Sequence, residues 1–228
     1  MKAGPDWNFP YLRDIDYFPF PNPKKWKDNI IAIGGNLSPG MLLSAYEQGI
    51  FPWYNPGEPV LWQSPDPRCV IFPAKLHISS SMQKILKQHR YKITFNENFT
   101  GVMIGCAETK RPEQNSTWIS DDIIEGYTEL HRLGWAHSAE AWQDGELVGG
   151  CYGILMGRVF IGESMFARKS NASKAAFLTL AEKLFENGIA FVDCQVPSQH
   201  IISLGGEELP RKDYLKLLNK YGITRFDL

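Results

Sequence analysis

Gly162-Glu163-Ser164-Met165-Phe166, then Asn171-Ala172-Ser173-Lys174, then an amphipathic run closed by Gly188 and residues 189–196 with Asp193-Cys194-Gln195 inside them, decide the fold. Residues 158–166 are short and rich in Val, Phe and Ile, which predicts a strand. Ser170 or Asn171 stands where a helix takes its N-cap. Phe177, Leu180, Ala181 and Leu184 follow the spacing of one buried helical face. Gly188 falls where a helix C-terminus favours glycine, and residues 189–196 read as the next strand. The unit is a strand–helix–strand crossover, whose site is expected where the strand ends meet the helix N-terminus. Buried strands tolerate Glu163, Asp193 and Gln195 only with partners, because a buried charge is costly. Period two puts Asp193 and Gln195 on one strand face, toward one substrate, and Cys194 on the other. A purely structural hydrogen-bond network joining two strand ends is the competing reading.

Upstream, residues 137–142 and 146–155 flank Gln143-Asp144-Gly145, and Asp-Gly is a strong hairpin signal. Hairpin, third strand, helix and fourth strand are the order of the GNAT acyltransferase core. We therefore expect a mixed α/β (α+β) fold, a twisted mixed sheet with helices on both faces, preceded by a small N-terminal domain. By fold analogy alone, acyl transfer is a candidate activity. An acetyltransferase of that fold would carry a glycine-rich coenzyme A loop between its fourth strand and the following helix. Here residues 167–173 read Ala-Arg-Lys-Ser-Asn-Ala-Ser, without glycine, which argues for another donor.

Residues 1–29 are dense in proline and aromatics and predict irregular chain pinned to a surface. Residues 30–33 read as a short strand, and Ser38-Pro39 starts a helix that ends at Gly49. Phe51, Trp53 and Tyr54 are expected on an exposed loop. The proline-rich segment 62–68 is taken as a connection, dividing the chain into domains 1–68 and 69–228. Further strands are expected at 69–72 and 91–95 and helices at 79–89, 98–107, 120–134, 198–204 and 211–218. Residues 108–116 are expected to be a mobile loop and 222–226 a last strand.

The 228 residues are 43% hydrophobic and 21% charged, with a formal net charge of -1, so any RNA contact must come from a local basic patch. Lys84, Lys87 and Arg90 on the 79–89 helix are the candidate phosphate track, against the plainer reading of a solvated face. Cys69, Cys106, Cys151 and Cys194 lack metal or disulfide spacing, so reduced thiols and no metal are expected. No signal segment and no bilayer-spanning run is read, which suggests a cytoplasmic protein. His77, His131, His137 and His200 are scattered and read as hydrogen-bonded structural residues.

Several blocks, in register over nearly the whole chain, carry a resemblance. They are Gly34-Gly35-Asn36-Leu37-Ser38-Pro39, Gly49-Ile50-Phe51-Pro52-Trp53, residues 62–68, Leu76-His77-Ile78-Ser79, Thr117-Trp118-Ile119, Ala136-His137-Ser138, Leu147-Val148-Gly149-Gly150, residues 162–166, residues 171–174, Asp193-Cys194-Gln195 and Ser203-Leu204-Gly205. Together they resemble the leucyl/phenylalanyl-tRNA–protein transferases. The resemblance implies a cytoplasmic bacterial enzyme of the N-degron pathway. It would move Leu or Phe, with Met left open, from aminoacyl-tRNA to an N-terminal Arg or Lys of an acceptor protein. No coenzyme, metal, ATP or membrane is implied, and a monomer is expected.

Carried over by motif, Asp193 and Gln195 would be the catalytic pair, with Glu163 in the same pocket holding the substrate amine or Gln195. Trp53 and Trp118 would stack around the terminal adenosine. Phe160, Met165, Phe177, Leu180 and Val192 would wall the amino-acid pocket, with Ser198 beside them. Cys151 stands where the family often has Met, and Ser198 where Asn is common. A neutral glutamine is a poor base, so the proton acceptor stays open among the neighbouring ribose hydroxyl, water, and Asp193 through Gln195. Backbone N–H groups at 171–173 are a candidate site for an oxyanion or the 3′ end. A coenzyme A- or cell-wall-directed acyltransferase and a non-enzymatic RNA-binding module are the alternatives.

Overall fold

The computed structural model describes residues 4–6, 8–109 and 118–222. The polar loop expected at 108–116 and the strand expected at 222–226 lie largely outside those residues. The described residues up to 29 form no strand or α-helix and are tied onto α1, Pro39–Glu47. Ser38 Oγ accepts from the Leu12 N–H at 3.1 Å, Ser44 Oγ from Phe18 N–H at 2.9 Å, and Gln48 Oε1 from Phe20 N–H at 3.0 Å. Buried Asn36 donates to the Phe9 carbonyl at 3.0 Å. The Asn-Leu-Ser-Pro block is thus a clamp for the N-terminal strap. Gly40 lies under it, and a Cβ there would sit 2.2 Å from the Arg13 carbonyl oxygen. Gly40→Ala is expected to lose about 1–3 kcal/mol of stability through overpacking, read by urea titration.

Three short strands, β1 (Ile30–Ile33), β2 (Phe51–Pro52) and β3 (Leu61–Gln63), make a small antiparallel sheet in the order β1-β3-β2. Two of these strands fall where sequence predicted loops. Phe51 and Tyr54 are 4% and 3% exposed, not surface aromatics, and Trp62 is fully buried, its indole N–H donating to the Gly34 carbonyl. Proline does not exclude these strands, Pro52 being itself the last residue of β2, because each strand is only two or three residues long.

The larger sheet has seven strands in the order β10-β4-β9-β8-β7-β6-β5. Their ranges are β4 Arg68–Ile71, β5 Lys92–Phe95, β6 Ala136–Gln143, β7 Glu146–Met156, β8 Val159–Ala167, β9 Phe191–Gln195 and β10 Glu207–Leu209. The β6–β7 hairpin turns through Asp144 and Gly145, with φ of 55° and 82°, the two positive values a type I′ turn requires. β8 and β9 pair in parallel across helix α5 (Ala172–Glu186), and every other pair is antiparallel. Hairpin, strand, helix and parallel strand are the order expected of a GNAT core.

Alternate residues of the strands serve two apolar clusters. On one face Tyr152, Ile154, Ile161 and Phe191 pack with α3 (Phe99–Glu108), α4 (Asp121–Arg132), α7 (Arg211–Tyr221) and α1. On the other, Ala139, Cys151, Phe160 and Val192 pack with α5 and Met82 of α2 (Ser80–Lys87). The first cluster also contains Leu42, Tyr46 and Trp62, so the small sheet and the large one share a core. Asn171 holds the N-cap position of α5 in a left-handed conformation without a side-chain cap bond.

Candidate active site

The parallel ladder between β8 and β9 runs Val159↔Phe191, Phe160↔Val192, Ile161↔Asp193, and ends there. Past that point each strand carries one extra residue relative to its other neighbour. On β8, Gly162 pairs with Gly153 and Ser164 with Tyr152, leaving Glu163 unopposed. On β9, Asp193 pairs with Val70 and Gln195 with Cys69, leaving Cys194 unopposed. Bulges of this kind re-aim side chains and end pairing. Gln195 closes β9 with φ of 60°, a left-handed backbone that costs a residue with a Cβ about 1–2 kcal/mol. Between the parted strands lies a cavity of about 600 Å³.

One side of the cavity is apolar: Cys151, Phe160, Met165, Phe177 and Ile201. The other carries Glu163 and Gln195, with Trp53, Trp118 and Ser198 also on the wall. Gln195 donates from Nε2 to Glu163 Oε1 at 2.8 Å. Tyr127 of α4 donates to Glu163 Oε2 at 3.1 Å, and Tyr46 of α1 shares a short hydrogen bond with Tyr127. Burial pushes the Glu163 carboxyl up to about 7, against the Tyr46 and Tyr127 hydrogen bonds that pull it down. Burial, then the Glu163 charge, raises both tyrosine hydroxyls well above their ordinary value, so they remain protonated donors.

Asp193 lies behind this rim and is fully buried. Arg68 grips it at both oxygens, Nε to Oδ1 at 2.8 Å and a terminal nitrogen to Oδ2 at 2.6 Å. Tyr214 donates to Oδ2 at 2.8 Å, and the Gln195 backbone N–H to Oδ1 at 2.9 Å. The Arg68 guanidinium sits over the rings of Tyr214 and Phe51, 4.5 and 4.9 Å from their centroids. Burial by itself lowers the Arg68 pKa, and the Asp193 carboxylate more than reverses this.

The structure gathers Glu163, Gln195, Trp53, Trp118, Phe160, Met165, Phe177 and Ser198 around one cavity. It corrects several expectations. Asp193 does not line the wall, because Arg68 and Tyr214 draw it inward. Cys194 does, because it is the bulged residue; burial raises its thiol pKa well above the ordinary value, which keeps it a poor nucleophile. Leu180 and Val192 are packed in the core behind the wall. His131 and His137 are hydrogen-bonded as expected, whereas His200 lines the cavity with no partner for Nε2. The α5 N-terminus does not line the cavity, and Gly149 packs against it: a Cβ there would lie 2.6 Å from Ala172 Cβ and 2.9 Å from the Ser173 nitrogen. Lys84, Lys87 and Arg90 are exposed on or just after α2, away from the wall. Arg68, Tyr46, Tyr127 and Tyr214 escaped the sequence reading, since no local pattern links residues 81 or 125 positions apart. Among the described residues, no cluster of His, Cys, Asp and Glu suits a metal ion, and no helix is long and apolar enough to cross a membrane.

A GNAT-type strand order that opens beside an apolar pocket with an amide and a carboxylate on its rim defines an acyl-transferring enzyme. Family profiles described as leucyl/phenylalanyl-tRNA protein transferase and its N-terminal domain match residues 70–219 and 35–66. A leucyl/phenylalanyl-tRNA–protein transferase of Desulfatibacillum aliphaticivorans is 49% identical over 202 residues, 88% of this chain and 87% of that one. One from Shigella dysenteriae is 48% identical over 209 residues, 90% of this chain and 88% of that one. The chain belongs to the leucyl/phenylalanyl-tRNA–protein transferase family. Among solved structures, L-PGS from Bacillus licheniformis aligns at a TM-score of 0.41 and 13% identity, over 59% of this chain and 48% of that one, a likeness too faint to add anything.

Proposed function

We propose that the protein moves Leu or Phe from aminoacyl-tRNA to the N-terminal Arg or Lys of an acceptor protein, making a peptide bond that marks the acceptor for N-degron degradation. The observation that carries this is the cavity itself, whose apolar side suits a leucyl or benzyl group and whose rim holds Glu163 and Gln195. An aminoacyl ester is already activated, so catalysis is chiefly a matter of holding an amine against it, which supplies on the order of 7–11 kcal/mol. Gln195 orients the reacting groups, and Asp193 fixes Gln195 through its backbone N–H. Glu163, the one carboxylate on the wall among the described residues, faces the cationic acceptor. Trp53 and Trp118 offer aromatic faces to the terminal adenosine. Lys84, Lys87 and Arg90 hold tRNA phosphates. The protein works as a cytoplasmic monomer without coenzyme or metal.

The test is incorporation of labelled Phe from Phe-tRNA into a protein that begins with Arg. Transfer that ribonuclease abolishes supports the reading; acetyl transfer from acetyl-coenzyme A with none from tRNA would sink it. The apolar wall gives a second prediction. Cys151→Met lengthens a side chain that lines the pocket, so kcat/KM for Phe is expected to fall about tenfold or more relative to Leu, one methylene being worth about 1–3 kcal/mol.

A further inference from the structure

We propose that Glu163 is the proton acceptor of the transfer, its carboxylate taking the proton that the acceptor α-amine sheds as the C–N bond forms and giving it to the ribose oxygen as the ester C–O bond breaks. The inference rests on the aminoacyl-transfer reading. One proton leaves nitrogen and one arrives at oxygen, so the enzyme ends the cycle with the charge it began with.

Two other candidates, Gln195 and Asp193, fail on chemistry and on position, and the third, His200, lines the cavity with Nε2 unbonded and not joined to the Gln195 amide as Glu163 is. The Gln195 amide is neutral and far too weak a base to hold a proton. Asp193 is sealed: Arg68, Tyr214 and the Gln195 N–H engage both its oxygens, and it does not reach the cavity. Glu163 does line the cavity. An ionised carboxylate has about four acceptor sites. Gln195 uses one on Oε1 and Tyr127 one on Oε2, which leaves capacity for an amine. The Gln195–Glu163 bond places the base beside the amide that orients the reactants.

The surroundings suit a base that works at neutral pH. Tyr127 from α4 and Tyr46 from α1 supply hydroxyls to the anion, and both stay protonated. Asp193 on β9 raises the carboxyl and Arg68 on β4, paired with it, lowers it, so the two charges oppose each other. Tyr152 on β7 adds a neutral ring to the same wall. Burial carries Glu163 to about 7, where a general base is most efficient. Tyr46 and Tyr127 are positioning residues whose hydrogen bonds keep that value from rising further.

The experiment measures kcat/KM for Phe transfer against pH. The acceptor carries an α-aminooxy analogue of its N-terminal Arg, a nucleophile that is uncharged through neutral pH and so contributes no limb of its own. The wild type should rise with pH through an apparent pKa of about 7. Glu163→Gln should lose that limb and fall about 10²–10⁴-fold, while still binding Phe-tRNA in a filter assay. Tyr127→Phe removes a hydrogen bond from the anion, so its limb should move to higher pH, a change that a purely structural role would not produce. The proposal is overturned if Glu163→Gln keeps the wild-type limb, if Tyr127→Phe leaves it in place, or if His200→Asn removes it instead. If wild-type enzyme transfers nothing from Phe-tRNA, the aminoacyl-transfer reading fails; transfer with a Glu163-independent limb defeats this proposal alone.

Discussion

Asp193→Ala is expected to lose about 3–5 kcal/mol of stability, because it strands a buried arginine. Arg68 is 1% exposed, and its bidentate partner is the only carboxylate that touches it among the described residues. Removing that partner leaves a guanidinium desolvated between two aromatic rings, with the Gly49 carbonyl and the Tyr214 hydroxyl as its remaining hydrogen-bond partners among the described residues. At roughly 2–4 °C per kcal/mol for a chain of this size, the melting temperature should drop by about 6–20 °C. The double substitution Arg68→Met, Asp193→Leu removes both charges and should recover a large part of the loss, since a buried pair replaced by apolar groups is often neutral. If Asp193→Ala melts like the wild type, the ion pair is not what holds β4, β9 and α7 together. The expectation also bears on function. Loss of transfer in Asp193→Ala would report a damaged scaffold and not a missing catalytic group.

That distinction shows where the sequence was readable and where it was not. The crossover was legible because both its signals are local: helical spacing from Phe177 to Leu184 and a helix stop at Gly188. The Asp144-Gly145 hairpin was legible for the same reason, as a turn determined by two adjacent residues with positive φ. Strands β2, β3 and β10 were hidden because two or three residues carry no period. The site was half legible. Alternation along β9 placed Asp193 and Gln195 together, but it could not anticipate a bulge at Cys194, which puts Cys194 and Gln195 on the wall and leaves Asp193 behind it. Val192 failed as a pocket residue through the same alternation, since its side chain packs with Ile71 and α5. Tyr46 and Tyr127 meet across 81 positions, and Arg68 meets Asp193 across 125. Such pairs exist only after the chain has folded, so residue types along a single sequence carry no trace of them. Family likeness supplied the roles that spacing did not, but it had no means of saying that Arg68 holds Asp193 behind the wall.

Gln195→Gly should separate activity from stability more sharply than any other substitution in the site. Gln195 holds φ of 60°, a conformation glycine adopts freely and a residue with a Cβ does not. Glycine relieves that strain but loosens the unfolded chain by a comparable amount, about 0.5–1 kcal/mol. The backbone N–H that donates to Asp193 is retained. The lost side-chain bond leaves Glu163 Oε1 on the cavity wall, where water can replace the amide. Stability should therefore stay within about 1 kcal/mol of the wild type. Transfer should fall about 10²–10³-fold, the usual effect of deleting one preorganised polar group at a reacting centre. Gln195→Ala deletes the same amide but keeps the strained Cβ, so it should transfer as poorly as Gln195→Gly and be the less stable of the two by about 1 kcal/mol. A strained backbone at the end of β9 is retained only if the side chain it aims is needed. Should Gln195→Gly keep full transfer, the left-handed turn serves packing alone, and the amide has no part in orienting the amine. Should it unfold, the Gln195–Glu163 bond is a structural tie between β8 and β9, and the opening between those strands exists only because that bond spans it.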